Sequence, residues 1–109
     1  VNLFLLIGAL RGFSRGILGL RRGEWLRGCG LGHDPQGKVL GILGMGGIGR
    51  ALKTRTDALG MTTVYHNRNR LPQDLEGGAE YVSFDELLGR SDVLSLNLPL
   101  NVGCTQCTP

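Results

Sequence analysis

The chain has 109 residues, 41% of them hydrophobic and 19% charged, and 19 are Gly. That suits one small domain or part of a larger one; it excludes a disordered chain and, because the glycines keep no triplet period, a collagen-like one. The formal net charge of +3 is uneven, with net +4 on residues 1–38 and net −1 on residues 39–109.

Leu3, Leu6, Ile7, Leu10, Phe13, Ile17 and Leu18 recur at three- and four-residue steps. This stripe predicts a long N-terminal helix over residues 3–22, with Arg11, Arg15, Arg21 and Arg22 mostly on its solvated side. Gly8, Gly12, Gly16 and Gly19 weaken that helix and leave room for another backbone to come close. The apolar run Leu3 to Leu10 falls short of the roughly 18 residues that span a bilayer, so no membrane segment is expected. There is no basic leader and no small-residue cleavage pattern after the run, so no secretory signal is expected either. Val1 in place of Met points to an excerpt or a processed product. The odd number of cysteines, three, argues against a fully paired disulfide framework and for a reducing, cytoplasmic setting.

Gly23 and then Gly28–Gly37, with Pro35, read as a connector. Val39-Leu40-Gly41-Ile42-Leu43 is a short apolar run, as expected of a buried parallel strand. Ile48, Leu52 and Leu59 follow in helical register, with Gly60 as the expected C-cap. Thr62-Thr63-Val64-Tyr65 predicts a second strand. His66 to Pro72 is a polar, basic loop. Tyr81-Val82 predicts a short strand. Ser83 with Glu86 matches a capping box that opens a helix over Phe84 to Leu88. Asp92 to Leu98 is another strand, stopped by Pro99. Strands alternating with helices predict an α/β chain: a Rossmann-like parallel sheet with flanking helices, in part, behind the N-terminal helix. The expected division is helix and connector over 1–30, a partial nucleotide-binding domain over 31–101, and an unassigned tail over 102–109.

Gly44-Met45-Gly46-Gly47-Ile48-Gly49 satisfies G-x-G-x-x-G directly after a predicted strand and at the start of a predicted helix. Gly44 permits the tight turn, Gly46 lets the backbone approach a pyrophosphate, and Gly49 permits close helix–strand packing. The helix N-terminus offers unpaired N–H groups and a partial positive charge to the phosphates. The same six residues fit the start of a P-loop, but Arg50 and Ala51 follow where Lys and Ser/Thr are needed. Ala51 cannot ligate Mg²⁺, so nucleoside triphosphate hydrolysis is not expected.

The end of the second strand selects the dinucleotide. An NAD site places an acid there for the ribose 2′-hydroxyl. This sequence has His66-Asn67-Arg68-Asn69-Arg70, with no acid before Asp74. Arg68, with Arg70 as a second candidate, can pair with a 2′-phosphate. NADP(H) is therefore the expected preference, with NAD(H) the lesser ligand.

These elements together resemble the D-isomer-specific 2-hydroxyacid dehydrogenase family, over about residues 3 to 101. Four segments carry the resemblance: the helix ending Leu20 to Trp25, Gly37 to Leu52, Val64 to Arg70, and Ser83 to Asn101. It is nearest to the fungal glyoxylate and hydroxypyruvate reductases of that family. The resemblance implies reduction of small 2-keto acids by hydride transfer from a nicotinamide cofactor, in a homodimer of two-domain subunits. It implies that Gly44, Gly46, Gly47, Ile48 and Gly49 wrap the pyrophosphate. It places His66, Asn67 and Arg68 at the adenosine ribose, and Leu98 and Pro99 near the nicotinamide side.

The departures bear on catalysis. The family's catalytic Arg, Glu and His lie downstream of the matched segment, and no His follows His66. No catalytic residue is therefore assigned, and the chain alone is expected to be inactive. Cys104 stands where the family usually has Thr, with Thr105 one place later, and 101–109 reads as an unrelated tail.

Other candidates are weaker. Cys104 and Cys107 form a C-x-x-C that Cys29 and His33 would have to complete as a zinc site; the C-x₃-H half is loose, and no metal site is expected. A redox role for that pair lacks the helix N-terminus such motifs use. Basic charge on residues 1–28 is the only feature favouring nucleic acid or membrane, and neither is expected as a partner. The main alternative is a non-catalytic nucleotide-binding or regulatory module.

Overall fold

The structure is a computed structural model that describes residues 1–25 and 30–99. The N-terminal helical stretch is present but divided. Helix α1 (Asn2–Arg11) ends at Gly12, which takes φ 63°, and α2 (Phe13–Arg21) leaves at 68° to it. A left-handed residue closes a helix, and Gly adopts that conformation without the Cβ penalty. The break splits the apolar stripe. Leu3, Leu6, Ile7 and Leu10 of α1 pack on the core, whereas Phe13 and Leu18 of α2 are about half exposed. Phe13 instead meets the edge of the Phe4 ring, with centroids 6.0 Å apart.

Close backbone approach occurs at a glycine other than the expected four. The returning connector donates from the His33 N–H to the Leu10 carbonyl at 2.8 Å, and a Cβ on Gly32 would lie 2.5 Å from Arg11 Cα. Gly8 and Gly19 have ordinary clearance.

From here strands and helices alternate: β1 (Val39–Leu43), α3 (Gly47–Asp57), β2 (Thr62–His66), α4 (Gln73–Glu76), β3 (Glu80–Tyr81), α5 (Phe84–Arg90) and β4 (Val93–Leu96). The strands form one parallel sheet in the order β3-β2-β1-β4. β1 is central, which explains its unbroken apolar run. Its residues alternate between two cores. Leu40 and Ile42, with Tyr65 of β2, pack with Leu6, Met45, Leu52, Met61 and Ala79 on the α1/α3 side. Leu43, with Val64 of β2, packs with Val82 and Leu87 on the α5 side. Gly41 faces this second side, where a Cβ would come within 2.8 Å of Ser91 Cβ.

Several boundaries shift. The cap of α3 is Ala58 rather than Gly60, although Gly60 takes φ 77° in the turn that follows. α5 runs two residues past Leu88, and its Ser83–Glu86 capping box is formed from both sides. α4 lies just past the His66–Pro72 loop, in a stretch to which the sequence reading assigns no element. It has a sequence signal nonetheless, since Pro72 precedes it, Asp74 and Glu76 lie in its first turn, and Gly77 closes it at φ 58°. Among the described residues no single helix is long and apolar enough to cross a membrane.

Candidate dinucleotide-binding site

The carboxyl ends of β1, β2 and β4 meet at one edge of the sheet, and the Gly44–Gly49 loop leaves from its centre. In an open parallel sheet this is where ligands bind. Gly44 takes φ 93°, and a Cβ there would fall 2.7 Å from the Asn97 carbonyl oxygen and 2.9 Å from Leu98 Cδ2. No other residue fits this turn. Gly49 is required for packing: its Cβ would sit 2.9 Å from the Gly44 oxygen and 3.1 Å from Ile42 Cγ2.

Gly46 and Gly47 differ from both. A Cβ on either would meet nothing within 4 Å, so open space lies above the start of α3. No side chain caps that helix and no acid occupies its first turn. Its leading N–H groups are therefore available to an anion. This cradle, open where Gly46 and Gly47 face it and tight where Gly44 and Gly49 face the sheet, fits a dinucleotide's pyrophosphate. Ile48 is 68% exposed beside it, so it belongs to the rim and not to the core register expected with Leu52.

The residues from the end of β2 onward divide into two groups. His66 and Asn67 are held by the protein. The His66 ring stacks on Tyr81 with centroids 5.6 Å apart and lies edge-on to Phe84. Its Nδ1 is 2.9 Å from the Val82 carbonyl oxygen, which can only accept, so that nitrogen carries the proton. Asn67 accepts from the Met45 N–H through Oδ1 at 2.7 Å, and its carbonyl accepts from the Tyr81 hydroxyl at 2.9 Å. Arg68 is exposed, and among the described residues no acid pairs with it.

Arg70 does not stand beside Arg68 as a second unpaired cation. Its guanidinium reaches Glu76 at 3.2 and 3.3 Å. Glu76 is buried and also accepts from the Tyr65 hydroxyl at 2.5 Å, while the Leu71 N–H donates to that hydroxyl at 3.2 Å. These bonds, the Tyr65 bond foremost, hold the Glu76 carboxyl below its usual range. Burial, then the bond to Glu76, pushes the Tyr65 phenol up. Sequence reasoning missed Tyr65, Glu76 and Tyr81, since nothing in the spacing links them before the chain folds.

Leu98 and Pro99 follow β4. Leu98 is half-buried against the second core and touches the Gly44 turn, whereas Pro99 is exposed. Asn97 ties this end to the first helix: its Oδ1 accepts from Asn2 Nδ2 at 2.7 Å. His33 is exposed in the connector, and Cys29, Cys104, Cys107 and the tail lie outside the described residues. Among the described residues no cluster of His, Cys, Asp and Glu has metal-binding geometry.

Comparison with known proteins agrees with this geometry. Residues 3–106 match the family described as D-isomer specific 2-hydroxyacid dehydrogenase, NAD binding domain. The chain is 62% identical over 101 residues to the 4-methyl-2-oxopentanoate reductase A of Aspergillus oryzae, covering 93% of this chain and 31% of that protein. It is 48% identical over 106 residues to glyoxylate reductase 1 of Saccharomyces cerevisiae, covering 92% and 30%. The crystal structure of a glyoxylate reductase from Paecilomyes thermophila superposes with a TM-score of 0.85 at 61% identity, again over 93% of this chain and 31% of that one. The chain thus spans about a third of the length of the relatives it matches. Fold, glycine cradle and sequence agree: the chain belongs to the D-isomer specific 2-hydroxyacid dehydrogenase family and corresponds to its NAD-binding domain.

Proposed function

We propose that the chain is the cofactor-binding portion of an NADPH-dependent 2-keto acid reductase. The observation that carries the cofactor preference is Arg68, exposed just past the end of β2 and, among the described residues, without an acidic partner. The first acids downstream do not replace the missing carboxylate of an NAD site: Asp74 is exposed in α4, and Glu76 is bound to Tyr65 and Arg70. An acid beside the ribose would repel a 2′-phosphate, whereas Arg68 attracts it. A charge-assisted Arg–phosphate contact is worth about ten- to a hundred-fold in affinity.

In this reading the amides at Gly46 to Gly49 hold the pyrophosphate, and Asn67 fixes the loop that presents them. His66, Asn67 and Arg68 bound the adenosine ribose. Leu98 and Pro99 guide the cofactor toward its nicotinamide end. The bound cofactor supplies the hydride that reduces the keto carbon. The substrate class is a small 2-keto acid, of which glyoxylate, hydroxypyruvate and 4-methyl-2-oxopentanoate are the ones to assay. No His follows His66, so no acid–base residue of turnover is assigned within these 109 residues. Apolar side chains exposed on α1 and α2, Phe4, Leu5, Phe13 and Leu18 among them, support pairing of two copies in the complete enzyme.

Titration of the chain with NADPH and with NADH, followed by amide NMR, tests the reading. NADPH should shift Gly46–Gly49 and Arg68 at lower concentration than NADH, and Arg68→Ala should narrow that gap. Equal affinities in the parent chain would remove the 2′-phosphate assignment. Indifference to both cofactors would remove the dinucleotide site itself.

A further inference from the structure

The loop that carries Arg68 is anchored at both ends by hydroxyls from the sheet. At its start the Tyr81 hydroxyl donates to the Asn67 carbonyl at 2.9 Å. At its end the Leu71 N–H donates to the Tyr65 hydroxyl at 3.2 Å. That hydroxyl is committed in turn, since it donates to Glu76 at 2.5 Å, and Glu76 also receives Arg70. The two tyrosine rings meet edge-on with centroids 5.3 Å apart, so the two anchors brace each other. Tyr65 is fully buried in β2, and the Glu76 side chain is 5% exposed in α4. Arg70 is 65% exposed, yet its guanidinium lies against this buried carboxylate and not against open solvent alone. Arg68, Asn69 and Arg70 stand between the anchors, and of these Arg70 is itself held by Glu76.

We propose that Tyr65, Glu76 and Arg70 form a positioning clamp that holds Arg68 where a 2′-phosphate will lie, and so set the choice between NADPH and NADH without touching either. The inference rests on the cofactor preference proposed above and adds the residues that enforce it. Arg70 is a strut in this arrangement and not a second phosphate ligand. The physical basis is entropy: a flexible arginine on a loose loop loses much of its contact energy when it is ordered on binding, and a preformed loop avoids that loss. The clamp acts through Arg68, so its removal weakens the ligand with the extra phosphate and spares the ligand without it.

The test measures dissociation constants for NADPH and NADH on the chain and on two conservative variants. Tyr65→Phe keeps the buried ring and removes the hydroxyl that links Leu71 to Glu76. Glu76→Gln keeps the side-chain volume and releases Arg70. Each should weaken NADPH by about three- to ten-fold, the range for a lost hydrogen bond that positions a charged group, and leave NADH within about two-fold. A purely structural role would weaken both alike, and that outcome overturns the clamp. A rise in NADPH affinity for Glu76→Gln overturns it as well, since Arg70 would then be a ligand that Glu76 withholds. A parent chain without NADPH preference sinks this inference and the cofactor assignment together. A parent preference that survives unchanged in folded variants sinks the clamp alone. One readout needs no variant: the Leu71 amide should exchange slowly with deuterium before any cofactor is added, and exchange at the rate of an open loop would refute a preformed clamp.

Discussion

Asn67 Oδ1 accepts a 2.7 Å hydrogen bond from the Met45 N–H, joining the end of β2 to the glycine loop 22 residues earlier in the chain. Two halves of the candidate site, the phosphate cradle and the ribose end, are thereby one hydrogen-bonded unit. Asn67→Ala leaves the Met45 amide without its partner in a partly buried place, at a cost of about 1–3 kcal/mol. Thermal unfolding should show the loss, and both cofactors should bind more weakly by a similar factor. Asn67→Asp keeps the acceptor and adds a charge beside the ribose. It should preserve stability and shift preference from NADPH toward NADH; a ratio that ignores the new charge would place the ribose elsewhere.

The glycines of the loop should separate in mutagenesis. Gly44→Ala meets both a left-handed backbone and the Asn97 carbonyl, so it should destabilise by roughly 2–5 kcal/mol. Gly46 has extended backbone and open space around its Cβ direction. Gly46→Ala should leave the unfolding midpoint nearly unchanged and still reduce cofactor affinity ten-fold or more, because the methyl intrudes where the pyrophosphate approaches. Measured together, unfolding and cofactor titration distinguish a glycine that serves the fold from one that serves the ligand. If Gly46→Ala binds as the parent does, the pyrophosphate lies elsewhere.

This separation also marks how far the sequence could be read. β1 and the glycine loop were legible because local rules dominate there: an apolar run, a fixed glycine spacing and a helix start coincide. The Ser83–Glu86 box was legible for the same reason. The division of the N-terminal helix was not, because the stripe from Leu3 to Leu18 is continuous in sequence, and Gly12 is one of three glycines within it. Only the backbone conformation singles it out. The segment that closes β2 was half legible. Arg68 and the missing acid stand in the sequence, but Arg70 remains a second candidate beside Arg68 until folding brings Glu76 against it. Contacts such as Tyr65 to Glu76 join separate elements, and no periodicity announces them.

One buried group points to a stabilising substitution. Thr63 lies in β2 at 4% exposure, and among the described residues its Oγ1 is the one buried side-chain polar atom without a partner. An unpaired buried hydroxyl carries its desolvation cost with no return. Thr63→Val has nearly the same shape and suits a strand. It should raise stability by about 1 kcal/mol in denaturant titrations, with cofactor binding unchanged. A loss of stability would show that the hydroxyl has a partner in solution.

Acid should expose the Glu76 network through its sign. The Glu76 carboxyl is held below its ordinary value of 4.5, by the Tyr65 hydroxyl first and the Arg70 guanidinium next. The unfolded chain therefore takes up this proton at higher pH than the folded one does. The stabilisation is complete above the ordinary carboxyl range and is lost as pH falls through the lower folded value. Glu80 shifts in the same direction through Arg90, but both partners are exposed, and such pairs contribute little. Unfolding midpoints measured from pH 7 to pH 2 should fall steeply for the parent chain. Glu76→Gln should start lower at neutral pH and show a flatter acid limb, whereas Glu80→Gln should follow the parent closely. Equal flattening in the two variants would mean that net charge, and not the buried carboxylate, governs acid sensitivity.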